Sequence, residues 1–163
     1  MKIYSTQNVY DAALDRIRYL FNEFPNIIIG FSGGKDSTVV YNLAKIVAKE
    51  KNRLPLKVMF LDQEAEWQCV IDYVRMIMSD KDVESLWFQM PLRLFNATSH
   101  TDDWLYCWEE GKEWIREKEN ISIKNNRYNC DRFADLFAKI LEVDFKDKKT
   151  CYLSGVRCEE SPS

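Results

Sequence analysis

A glycine loop between an apolar run and a helix constrains this chain more than any other stretch. Residues 27–31 read Ile-Ile-Ile-Gly-Phe, and residues 38–47 carry apolar side chains at helical spacing. The six residues between them therefore predict a strand, loop and helix unit. Adjacent glycines let backbone N–H groups approach a ligand, and the helix N-terminus directs partial positive charge to the same place. The expected ligand is an anion, most often a phosphate.

The side chains of the loop also suit a phosphate accompanied by a metal ion. The loop consists of Ser32, Gly33, Gly34, Lys35, Asp36 and Ser37. Lys35 supplies a mobile positive charge, the two hydroxyls are donors, and Asp36 supplies a hard oxygen that suits Mg²⁺. The alternative is a tight turn in which Ser37 merely caps the helix. The complete hexapeptide in this setting favours the phosphate site.

The remaining periodicity predicts alternating strands and helices. Helices are expected at about residues 8–24, 38–47, 67–78 and 131–141, and strands at 27–31, 56–61, 85–90 and 150–154. Strand, helix and strand at this length form a right-handed parallel crossover. We therefore predict a three-layer α/β/α fold with a mostly parallel sheet of four to five strands in the order 3-2-1-4-5.

Acidic residues follow the second predicted strand. Asp62 comes directly after it, at the edge of the sheet where the glycine loop also lies. Ligands of open parallel sheets bind at this edge, so Asp62 is a candidate site residue. Glu64 and Glu66 are expected to be ordinary acids in the first turn of the next helix, where negative charge is favoured.

Residues 92–129 lack periodicity and are too long for a plain connection in a compact domain. One hypothesis is a lid or insertion whose tryptophans exclude water, with Lys124 and Arg127 facing an anionic group. The other is a short helix near residues 108–119 that packs its tryptophans on the domain. The sequence leaves both open. His100, the single histidine, lies in a polar loop and is not expected to be essential.

Composition limits the class of protein. With 163 residues, 46% of them hydrophobic, residues 1–163 can form a single domain with one core. A net charge of -3 provides no basic field for nonspecific nucleic-acid binding. No apolar run is long enough to span a bilayer and the N-terminus has no signal-peptide core, so we expect a cytoplasmic protein without a membrane partner.

The chain has five cysteines and no secretion signal, which favours thiols or metal ligands over disulfides. Their wide spacing is a poor metal signature, so a cysteine metal site is not expected. Cys151 lies inside a predicted strand and should be buried and inert.

The loop at residues 32–37 resembles the SGGxDS motif of the ATP pyrophosphatase (PP-loop) superfamily, whose fold is called adenine nucleotide alpha hydrolase-like. The stretch Asp-Gln-Glu-Ala-Glu-Trp from Asp62 resembles the D-T-G-x-x-F stretch of phosphoadenylyl-sulfate (PAPS) reductases and sulfate adenylyltransferase small subunits. After the fourth strand, G-x-R-x-x-E-S-x-x-R is matched by Gly155, Arg157, Glu160 and Ser161. The second arginine would fall beyond Ser163, so we expect a truncated chain. The resemblance covers about residues 27–163 and is closest to PAPS reductase-like proteins.

The resemblance implies an adenine nucleotide as ligand, either ATP or PAPS, with Mg²⁺. It implies that the loop holds the β- and γ-phosphates while the α-phosphate is attacked, which releases pyrophosphate. The implied binding residues are the six of the loop together with Asp62, Gly155, Arg157, Glu160 and Ser161; of these, Lys35, Asp36 and Arg157 are catalytic and Asp36 holds the metal. The guanidinium of Arg157 suits a phosphate or sulfate because its planar fork binds two oxygens. Its alternative role is an ion pair with Glu159 or Glu160.

Two other functions remain open at this stage. One is a sulfonucleotide reductase that takes its nucleophile from residues beyond Ser163 or from a partner. The other is a nucleotide-binding module without turnover, inside a larger complex such as one that processes DNA. A protein partner or C-terminal domain that completes the site, and a homodimer, are both compatible with the sequence.

Overall fold

The structure, a computed structural model, describes residues 6–156, so Arg157, Glu160 and Ser161 lie outside the described residues. The elements in that part of the chain are α1 (Val9–Glu23), β1 (Asn26–Gly30), α2 (Lys35–Glu50), β2 (Leu56–Leu61), α3 (Gln68–Met78), β3 (Val83–Phe88), β4 (Leu92–Phe95), β5 (Trp104–Cys107), α4 (Phe133–Asp144) and β6 (Thr150–Leu153).

The main sheet has four strands in the order β3-β2-β1-β6, and every neighbouring pair is parallel. Ile28 of the central strand β1 pairs with Lys57 on one side and Tyr152 on the other. All five residues of β1 are buried, as expected for a strand covered on both faces. The predicted three-layer α/β/α class is confirmed, and so are the first four strands of the predicted order 3-2-1-4-5, with β6 as the fourth; the main sheet has no fifth strand within residues 6–156.

Successive residues of β1 and β2 face opposite sides of the sheet and so contribute to two cores. Ile29 and Val58 pack against α1, α2 and α3 through side chains such as Tyr41. Ile28 and Met59 lie in the other core, which holds buried side chains of α4 and of the segment between β3 and α4. This segment therefore forms part of the layer that covers the second face of the sheet.

The segment after β3 contains an antiparallel hairpin rather than a helix. Strands β4 and β5 pair from Leu92↔Cys107 to Phe95↔Trp104. The backbone after β5 has positive φ at Trp108 (56°) and Gly111 (76°), which an α-helix cannot contain. The alternative of a short helix near residues 108–119 is therefore wrong, although Trp108 itself is completely buried.

Within residues 6–156, no helix combines the length and apolar character needed to cross a membrane.

Replacing Ile29 by Ala tests the core between the sheet and helices α1 to α3. Ile29 is 0% exposed, so Ile29→Ala should lower the free energy of unfolding by about 2–5 kcal/mol through lost burial and a cavity. The control Ile46→Ala removes the same atoms from a side chain that is 40% exposed and should cost less than about 1 kcal/mol. Urea unfolding measures both values, and equal losses would contradict the described burial.

Candidate functional site

The glycine loop adopts a backbone conformation that its sequence explains. Gly33 has a φ of +73°, a region that other residues rarely adopt. A Cβ at this position would also lie 2.7 Å from Cγ1 of Val70 on α3. The loop can therefore pack against α3 only with glycine at position 33.

The two serine hydroxyls hold the loop in shape. Ser37 Oγ accepts the N–H of Ser32 at 3.2 Å and donates to the carbonyl oxygen of Gly34 at 3.0 Å. Ser32 Oγ lies 3.1 Å from Ser37 Oγ. The N-cap residue of α2 is Gly34, and no side chain caps the helix there. The alternative in which Ser37 caps the helix is therefore wrong, and the amide groups of the first turn of α2 are left for another acceptor.

A cavity of about 450 Å³ lies at the carboxyl ends of β1, β2 and β6, a volume within the range of small-molecule sites. Its wall contains Ser32, Gly34, Lys35, Asp36 and Ser37 of the loop. The strands and α4 contribute Phe60, Leu61, Gln63, Glu66, Phe133, Phe137, Tyr152, Ser154, Gly155 and Val156. The fold therefore brings the loop and Gly155 together.

Gly155 touches the first turn of α2. A Cβ at Gly155 would come within 2.8 Å of the backbone carbonyl carbon and oxygen of Asp36. The absence of a side chain therefore lets the chain after β6 lie directly against the N-terminus of α2. Arg157 follows two residues later, outside the described residues.

Lys35 and Asp36 are the charged residues that the loop contributes to the cavity wall. Both are exposed, and neither makes a hydrogen bond or an ion pair with any residue of the described range 6–156. An ammonium group and a carboxylate are thus available to a ligand beside the uncapped helix N-terminus. This combination fits an anion together with a cation.

The opposite wall of the cavity is aromatic, which the sequence reasoning missed. The ring of Phe137 packs edge to face against Phe133 at 5.8 Å and against Tyr152 at 5.5 Å. Burial raises the pKa of Tyr152 to about 12, so its phenol is neutral near pH 7 and can donate a hydrogen bond. The sequence signal for this wall is the spacing of Phe133 and Phe137, which lie four residues apart on the helix that precedes β6.

The carboxylate of Asp62 is not brought to this cavity. Asp62 is 0% exposed and accepts hydrogen bonds from Trp87 Nε1 at 2.8 Å, from Gln89 Nε2 at 2.9 Å and from the backbone N–H of Glu64 at 2.9 Å. It also forms an ion pair with Arg116. Its neighbours Leu61 and Gln63 do line the cavity.

Glu64 fastens the loop after β2 to the segment that follows β5. Its carboxylate accepts the backbone N–H groups of Trp108 at 2.5 Å and Ile115 at 2.9 Å. Its own backbone has a φ of 64°, and α3 begins only at Gln68. The prediction that Glu64 and Glu66 are first-turn acids is therefore wrong, because both precede the helix. Trp108 Nε1 adds a hydrogen bond of 2.8 Å to the carbonyl oxygen of Asp62.

Glu66, unlike Glu64, lines the cavity wall. Its burial raises its pKa, and the nearby Asp62 carboxylate raises it further against the opposing effect of Arg116. The sequence pattern predicts only an ordinary surface acid at this position. No signal in the sequence alone distinguishes Glu66 from Glu64.

The other cations and thiols lie elsewhere. Arg127 pairs with Asp144 at 2.8 Å and Lys124 lines a separate cavity, so neither is among the residues that line the loop cavity, and the lid stays a prediction. The described cysteines are free, and residues 6–156 hold no cluster of three His, Cys, Asp or Glu residues that could bind a metal ion. Cys107 and Cys130 line a second cavity, and burial raises the pKa of Cys107 to about 11. Burial also raises the pKa of Cys151, which is only partly buried.

The parallel sheet and the loop at its central strand define the class of α/β domains that bind nucleotides at the carboxyl ends of their strands. Residues 26–163 match the family model described as phosphoadenosine phosphosulfate reductase domain, and the chain belongs to this family. The resemblance to PAPS reductase-like proteins of the PP-loop superfamily is thereby confirmed.

One curated relative is the "Uncharacterized protein YbdN" of Escherichia coli (strain K12), which is 29% identical over 162 residues. The match covers 94% of this chain and 40% of the relative, so the chain spans about two fifths of the relative's length. No solved structure matches the chain.

Replacing Glu64 by Gln tests the attachment of the loop after β2. The introduced side-chain amide can accept one of the two backbone N–H groups but presents an N–H₂ group to the other. The variant Glu64→Gln should therefore lose about 1–3 kcal/mol of unfolding free energy. Glu113→Gln makes the same change at an exposed acid and should be neutral. Guanidinium unfolding of both variants measures the difference, and a neutral Glu64→Gln would refute the attachment.

Proposed function

We propose that this domain binds an adenine nucleotide in the cavity at residues 32–37 and supports cleavage or transfer at the α-phosphate with release of pyrophosphate. The observation that carries the proposal is the uncapped N-terminus of α2, beside which the side chains of Lys35 and Asp36 lie in the cavity wall without a partner among residues 6–156. Membership of the PAPS reductase domain family supports a nucleotide as the ligand.

The proposed catalysis consists of positioning and charge neutralisation. The N–H groups of the loop and the ammonium of Lys35 hold the leaving pyrophosphate, where negative charge builds up during the reaction. No side chain of the domain needs to form a covalent bond. By resemblance, Arg157, Glu160 and Ser161 are binding residues contributed by the sequence that follows Gly155. Arg157 binds the phosphate or sulfate end of the ligand.

The residues present fit the Mg²⁺ that accompanies such nucleotides. Mg²⁺ is usually held by one or two carboxylates together with phosphate oxygens and water. Asp36 lines the cavity with a carboxylate that pairs with no residue of the described range, which matches this donor set. When bound, the ion would neutralise phosphate charge.

The aromatic wall supports binding of a nucleobase. Phe133, Phe137 and Tyr152 give the cavity an apolar side opposite the charged loop, and small-molecule sites typically combine these two kinds of surface. An adenine ring can pack on such a wall while its phosphates stay at α2. This arrangement separates base binding from phosphate binding.

A sulfonucleotide reductase is the second candidate, and the family description favours it. That reaction needs a thiolate nucleophile. None of the cysteines in the described part of the chain lines the cavity, and Cys107 is buried with a raised pKa. A reductase built on this domain would therefore take its thiol from outside residues 6–156 or from a partner.

The test is calorimetric titration of ATP, AMP and PAPS with Mg²⁺ into the wild type and Lys35→Ala. The wild type should bind at least one of these ligands, and Lys35→Ala should bind it about tenfold or more weakly, because a charged hydrogen bond to phosphate is lost. Lys112→Ala removes an exposed lysine that does not line the cavity and should bind like the wild type.

Product analysis separates the reactions. Pyrophosphate release from ATP identifies adenylyl transfer, and adenosine bisphosphate release from PAPS with a thiol donor identifies reduction. Binding without either product indicates a nucleotide-binding module that acts without turnover. A folded wild type that binds none of the three nucleotides would refute the proposed function.

A further inference from the structure

Glu66 is a carboxylate in the cavity wall that no group within residues 6–156 satisfies. It is partly buried, and within residues 6–156 it makes neither a side-chain hydrogen bond nor an ion pair. A partly desolvated charge without a partner is unfavourable, and the raised pKa of Glu66 reflects this. Such a group is usually retained where a ligand completes its contacts.

The backbone around Glu66 is fixed by other residues. Glu64 is held by Trp108 and Ile115, and the N–H of Glu66 donates to the carbonyl oxygen of Glu64 at 2.9 Å. The backbone position of Glu66 is therefore set by the loop after β2, and its carboxylate lies in the cavity wall without a partner within residues 6–156.

The chemistry of Glu66 restricts what can lie against it. An ionised carboxylate has only acceptor oxygens, so its partner must donate a hydrogen bond or carry positive charge. Within residues 6–156, the guanidinium that acts on Glu66 is that of Arg116, and it already pairs with Asp62. A phosphate placed against Glu66 would meet uncompensated like charge, which lowers affinity strongly.

Glu66 lies in the wall of the same cavity, on the β2 side of the proposed anion site. The phosphate position is set by the end of β1 and the N-terminus of α2, and the chain around Gly155 occupies the β6 side of that position. Glu66 follows β2, the neighbour of β1 on the opposite side, and neighbouring strands lie about 5 Å apart. The part of a nucleotide next to its phosphates is the ribose.

Building on the proposed function, we propose that Glu66 is a specificity-determining residue. Its carboxylate accepts a hydrogen bond from a ribose hydroxyl and excludes nucleotides that carry a phosphate on that ribose. The domain therefore selects ATP or another nucleotide with free ribose hydroxyls over a 3′-phosphorylated sulfonucleotide.

The experiment compares AMP with adenosine 3′,5′-bisphosphate and adenosine 2′,5′-bisphosphate by calorimetry. The wild type should bind AMP at least about tenfold more tightly than either bisphosphate. Glu66→Gln, which keeps the shape and removes the charge, should reduce that preference to about threefold or less. Glu66→Asp keeps the charge and should keep the preference, as should Glu113→Gln, which removes an exposed charge outside the cavity.

Two results would overturn the role of Glu66 while leaving the proposed function intact. They are a tenfold preference that persists in Glu66→Gln, and a wild type that binds a bisphosphate more tightly than AMP. A folded wild type that binds neither AMP nor ATP nor PAPS would instead overturn the proposed function and this inference with it. Urea midpoints of all variants show whether each is folded.

Discussion

The buried carboxylate of Asp62 is the constraint on which the site depends. A fully buried charge is tolerated only when it is paired and hydrogen-bonded. Here the partners come from three parts of the chain: Trp87 and Gln89 at the end of β3, the backbone of Glu64, and Arg116 far along the sequence. The end of β2, the end of β3 and the segment after β5 are thereby held in one arrangement. This arrangement holds the backbone that carries Leu61, Gln63 and Glu66 in the cavity wall.

The two sides of the cavity offer different kinds of surface to a ligand. The loop side offers backbone amides, the Lys35 ammonium and the Asp36 carboxylate, which suit phosphates with a cation. The side formed by Phe133, Phe137 and Tyr152 offers aromatic rings and a neutral phenol. Asp62 and Glu66 lie on the same loop, yet one carboxylate stabilises the fold and the other faces the cavity.

The sequence predicts the fold well because the signals for the main sheet are local. An apolar run at β1, the glycines at residues 33 and 34 and the helical spacing after them specify the anion site without distant partners. The roles of Asp62 and Glu64 were not predictable in this way. Their partners Trp108, Ile115 and Arg116 lie 44 to 54 residues further along a segment without periodicity. The roles of Arg157, Glu160 and Ser161 stay predictions, since they lie outside the described residues.

Glu64, which follows β2, and the segment after β5 stabilise each other. Where the related D-T-G-x-x-F stretch has glycine, this chain has Glu64, and Glu66 falls on a position that the motif leaves open. Glu64 would be an unpaired buried charge without the amide groups of Trp108 and Ile115, so the acid and the segment depend on each other. Glu66 adds a second carboxylate to a cavity wall whose described charges are Lys35, Asp36 and Glu66. Within residues 6–156, one ammonium therefore stands against two carboxylates in this wall, a balance that fits the proposed divalent cation.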